Sequence, residues 1–71
     1  MQRDRSVIHE SAAAVHDEAA ARHLEVAEVW ERRGEAEHAE LERRNAQIEQ
    51  MAAELERDRA RLVRRRSDGH R

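Results

Sequence analysis

Histidine recurs at every seventh position in the N-terminal half of the chain, at His9, His16 and His23, and one further step of seven reaches Trp30, the only aromatic residue. Imidazole is the commonest transition-metal ligand, so zinc, nickel or copper binding is the first chemistry to weigh. On a helix, seven residues span about 10.5 Å. Two such rings cannot share an ion held by bonds of about 2.0–2.1 Å. Chelation on one helix needs ligands three or four residues apart, and there His16 and His23 meet only alanine and valine. His9-Glu10 opens an HExxH zinc motif, but Ala13 stands where the second histidine belongs. Glu35 and His38 form an ExxH unit, which a carboxylate-bridged metal site would have to complete with further inward-facing glutamates. His9, His16, His23, His38 and Glu35 are therefore metal candidates only if a second chain brings equivalent residues together. The favoured expectation is that the imidazoles are packing groups, each with one ring nitrogen hydrogen-bonded, and that the chain carries no cofactor.

The second chemical feature is the arginine cluster of the C-terminal segment, with Arg57, Arg61, Arg64, Arg65 and Arg66 as candidate anion or nucleic-acid contacts. Arginines neutralise phosphates, and a nucleic-acid accessory role is the lesser reading. No aromatic residue lies nearby for base stacking, and Leu62 keeps the apolar register through the segment. A solvated or partner-facing basic helix end is the favoured reading. Catalysis has little material. Cysteine, tyrosine and threonine are absent, and Ser6, Ser11 and Ser67 supply the only hydroxyls. The carboxylates are spread along the chain with no sign of convergence, so no catalytic residue is assigned and a non-enzyme is expected.

Composition narrows the class. Of the 71 residues, 42% are charged and 38% hydrophobic, much of the latter alanine; proline is absent, and Gly34 and Gly69 are the only glycines. That is the profile of coiled coils and long helices. No apolar run approaches the roughly 18 residues of a membrane span, and no secretory signal pattern is visible. A cytoplasmic protein without membrane contact is expected. The net charge of −2 conceals a gradient. Residues 34–56 carry two arginines and seven acids, whereas residues 57–71 carry seven arginines and two acids.

These side chains must be positioned by helices. Ser6 is a plausible N-cap, Gly34 suits the left-handed residue after a helix, and Arg64, Arg65 and Arg66 suit a C-terminal turn. The expectation is all-α: an antiparallel two-helix hairpin, about 6–33 and 35–66, forming a single domain over 1–66 with a short disordered basic tail at 67–71. The alternative is one continuous long helix in a coiled-coil dimer. If the chain folds back at Gly34, the His9, His16, His23 and Trp30 column comes opposite Ala60, Ala53, Ala46 and Ala39. Large side chains would then face small ones in the hairpin core.

The segment AEVWERRGEAEHAELERRNA, residues 27–46, resembles the middle of a tetratricopeptide repeat through Ala27, Gly34, Ala39 and Ala46. The usual aromatics of the second helix are missing and nothing recurs at 34 residues. The resemblance implies a helix–turn–helix and does not extend to a peptide-binding groove.

Beyond the alanines, the second helix carries Leu41, Ile48, Leu55 and Leu62 at period seven, beside Asn45 and Ala52. Read as d and a positions, this is a coiled-coil seam with an asparagine that would fix register. It lies nearly opposite the alanine column and is the expected oligomer interface. Ordering a chain costs roughly 1.5 kcal/mol per residue, which an alanine-filled hairpin does not offset alone. A homodimer forming a four-helix bundle is expected, acting as an interaction or scaffold protein with a further protein partner.

Overall fold

A computed structural model describes residues 5–68 as two helices, α1 (Arg5–Arg32) and α2 (Ala36–Asp68). They pack side by side and antiparallel into a slab of 59 × 19 × 9 Å, one helix thick. The chain turns back at Gly34, so it is a hairpin and not one continuous helix.

The turn follows from local chemistry. Gly34 has φ +78°, a left-handed conformation that costs a residue with a Cβ about 1–2 kcal/mol. The Glu35 N–H donates to the Trp30 carbonyl (2.9 Å) and the Gly34 N–H to the Glu31 carbonyl (3.0 Å). These two bonds are the Schellman pattern, and they satisfy carbonyls that the end of α1 would otherwise leave bare. Four residues on, the Ala39 N–H reaches the Glu35 carbonyl (3.1 Å) and starts α2.

Two expected boundaries move. Ser6 is not a cap, because α1 already includes Arg5 and the serine is buried in the seam. Its small side chain takes the first place in the column continued by Ala13, Ala20 and Ala27. At the other end α2 continues through Ser67 and Asp68, which were expected in the tail. Gly69, His70 and Arg71 lie outside the described residues.

The buried seam is built from small residues on both sides. Ala13, Ala20 and Ala27 of α1 and Ala39, Ala46, Ala53 and Ala60 of α2 are at most 3% exposed. Opposed methyl groups let helix axes approach to the short end of the roughly 8–10 Å range. A gap that narrow has no room for an imidazole or an indole. The expected placement of His9, His16, His23 and Trp30 inside the core is thereby corrected. All four are displaced to the flank and only half-buried.

Candidate functional site

On the flank where the histidines emerge, each meets a glutamate of α2. His9 Nδ1 lies 2.7 Å from Glu56 Oε2, His16 Nδ1 3.0 Å from Glu49 Oε2, and His23 Nδ1 3.1 Å from Glu42 Oε2. The histidines ascend by seven while the glutamates descend by seven, so an antiparallel pair of helices repeats the contact as three rungs. An ionised carboxylate only accepts hydrogen bonds, which assigns the proton to Nδ1 of each ring. The imidazole side chains stay 29–35% exposed and the carboxylates are more covered.

Glu56 is the most constrained of the three. Its carboxyl is held below the ordinary carboxylate range, chiefly by the hydrogen bond from His9 and next by one from Arg59. Partial burial opposes this shift without reversing it.

Trp30 ends the histidine column. Its ring stacks on His38 with centroids 4.4 Å apart and planes 21° from parallel, and the Arg33 guanidinium lies 5.8 Å from the indole centroid. An aromatic stack beside the turn thus occupies the place a fourth rung would take. His38, whose ExxH spacing from Glu35 suggested a metal ligand, is committed to this stack.

The opposite flank carries a second series of contacts. Arg64 pairs with Glu10, Arg57 with Asp17, and Arg43 with Glu31 (3.1 Å). These columns also have period seven, and the rung between the last two is blank because Leu24 and Gln50 stand there. Arg61 pairs with Asp58 on its own helix. Of the five arginines considered for phosphate binding, Arg57, Arg61 and Arg64 therefore already have carboxylate partners, while Arg65 and Arg66 lie exposed in the last turn of α2. A groove at the open end is lined by Glu10, Ala13, Arg57, Ala60, Arg61 and Arg64 and is bridged by the Arg64–Glu10 pair.

The two flanks give the slab two unlike faces. Counting heptad positions outward from the alanine seam, the histidine side of α1 continues into Ala12, Ala19 and Val26, then Ile8, Val15 and Val29. The glutamate side of α2 continues into Asn45 and Ala52, then Leu41, Ile48, Leu55 and Leu62. One broad face thus has largely apolar borders, interrupted by Arg22 on α1 and by His38, Arg59 and Arg66 on α2, with the rungs down its middle. Among its members Ala52 is half-buried, Asn45 is exposed, and the four-residue leucine/isoleucine column is exposed throughout. The other face carries the acid–arginine pairs with Glu18, Glu25, Glu40 and Glu54.

Among the described residues no group of three or more histidines, cysteines or carboxylates is placed to hold a metal ion. The rungs were not anticipated from the histidines alone. The signal was present, because Glu35, Glu42, Glu49 and Glu56 keep the same period as the histidines and sit one position beyond the leucine column. Among the described residues no helix is long and apolar enough to cross a membrane. No protein-family model, curated protein sequence or solved structure matches the chain.

Proposed function

We propose that this chain is a non-enzymatic, cytoplasmic interaction or scaffold protein that self-associates. Two hairpins join through the apolar face into a four-helix bundle, leaving the charged faces outward for a protein partner. The observation that carries the reading is an inversion of burial. Among the described residues the hairpin encloses alanines and one serine, while eight larger hydrophobic side chains of the apolar face remain 38–62% exposed. The accessible surface of 5936 Å² also exceeds the ~4,600 Å² expected of a compact monomer of this mass. Burying a Leu or Ile side chain contributes about 1.5–3 kcal/mol, so a second copy supplies what the alanine seam lacks.

Sedimentation equilibrium tests this directly. The native chain is expected at twice its 8.3 kDa mass, and Ile48→Glu or Leu55→Glu at the single mass. A helical wild-type chain that stays at 8.3 kDa at all concentrations removes the proposal.

A second reading, transition-metal binding between copies, is favoured by one feature. Metal-bound histidines usually donate their other ring N–H to a carboxylate, and all three rungs have that arrangement. Calorimetric titration with zinc, nickel and copper decides it, with heat abolished in His16→Ala as the supporting result.

A further inference from the structure

The apolar face does more than provide area; its central columns select how a second copy lies on it. The 59 × 19 Å slab offers roughly 1,100 Å² in projection, above the ~800 Å² per partner of a standard stable interface. Two identical faces meet about a two-fold axis, and only two such arrangements keep the long axes aligned.

If the axis lies across the slab, turn ends point in opposite directions and each helix covers its own copy. Histidine then lies over histidine and glutamate over glutamate, so the carboxylates of Glu42, Glu49 and Glu56 face like carboxylates in a desolvating contact. Like charges apposed in this way oppose association. If the axis runs along the slab, turn ends lie together and α1 of one copy covers α2 of the other. Every histidine is then opposite a glutamate, and each rung becomes a layer of two histidines and two glutamates of alternating kind.

We propose, resting on the self-association argued above, that two copies pair with their turn ends together, so that the three His–Glu rungs merge into three alternating four-residue layers on the dimer axis. Nδ1–H of each ring donates to the glutamate of its own chain, and the glutamate of the second copy, which as a carboxylate only accepts, is met by Nε2–H of the imidazolium, the form in which both ring nitrogens donate. This gives the rungs a role that three partly exposed contacts do not otherwise have: they set the orientation of the pair. The arrangement also brings Arg5, Arg59 and Arg66 of both copies to one end. Those side chains are exposed, Arg59 is already paired with Glu56 of its own chain, and the repulsion among them is screened over about 8 Å at physiological ionic strength.

The chain has no cysteine, so Glu37→Cys carries a single spin label near the turn, and every dipolar distance it reports is between copies. Turn ends together place the labels within about 25 Å; turn ends apart place them about 40 Å from each other, from 1.5 Å per residue along the bundle. The short distance is the expected result. A distance near 40 Å overturns the orientation while leaving the dimer standing. A folded protein with no intermolecular distance overturns the self-association beneath it. An exchange of partners on the central rung gives an independent reading. The doubly substituted chain His16→Glu, Glu49→His keeps the rung within each copy and is expected to pair with itself on the order of tenfold more tightly than with wild type. A preference for wild type instead contradicts the proposed layers.

Discussion

Replacing Ala46 by leucine probes the seam where it is most enclosed. Ala46 is 1% exposed, sits between Ala39 and Ala53 in the buried column of α2, and belongs to the seam that α1 lines with Ala13, Ala20 and Ala27. Leucine adds three carbons at a position that is already 1% exposed. If the helices hold their spacing, overpacking costs about 1–3 kcal/mol. If they separate by an ångström or more, the rungs at 3.0 Å (His16–Glu49) and 3.1 Å (His23–Glu42) pass out of hydrogen-bonding range. Each of those half-exposed rungs is worth about 0.5–1 kcal/mol, so separation carries a cost of similar size. Either way the loss is about 2 kcal/mol, or roughly 8–16 °C in melting temperature for a domain this small. The assay is thermal denaturation followed by circular dichroism at one fixed protomer concentration. Ala14→Leu, on the exposed face of α1, is the control and is expected within about 0.5 kcal/mol of wild type. If Ala46→Leu melts with Ala14→Leu and wild type, the alanines are not a close-packed seam and the displacement of the imidazoles loses its cause.

Gly34→Ala is expected to destabilise by about 1–2 kcal/mol, because the left-handed φ is the whole cost and a Cβ there meets no atom within 4 Å; denaturant titration showing no loss contradicts the turn. A double-mutant cycle on His16→Ala and Glu49→Ala is expected to give a coupling of about 0.5–1 kcal/mol, against zero if the rung is a coincidence of placement. For Glu56, whose carboxyl is lowered by His9 and Arg59, the stabilisation is complete above the ordinary glutamate range and is lost as pH falls through the lowered folded value. Glu56→Gln should therefore flatten the acid limb of the stability–pH curve, and an unchanged limb contradicts that contact.

Much of the fold was legible because it is written at one period. Heptads of alanine, leucine and histidine, broken once by Gly34, give two helices of similar length and a turn between them. Which column goes inside was harder to read. Volume-matching suggests large against small, whereas the chain sets alanine and serine against alanine and moves His9, His16 and His23 to the side. Ser6 illustrates the difference: as a residue type it favours an N-cap, but it lies inside α1 and is buried in the seam. The partners of the histidines were also hidden, since a glutamate column among sixteen acids looks like a solvated face until the antiparallel geometry brings it beside the imidazoles. The arginine cluster presents the same lesson. As a sequence it suggests phosphate, and in the hairpin Arg57 and Arg64 are tied to Asp17 and Glu10 across the opposite flank.

The most direct measurement of the central claim is the melting temperature of the unmodified chain over a hundredfold range of concentration. If the outward hydrophobic columns are half of a shared core, folding and association are one process, and the midpoint rises steadily with protomer concentration. A midpoint that does not move, with helical structure retained at the lowest concentration, means the hairpin stands alone on its alanines, and the account is wrong.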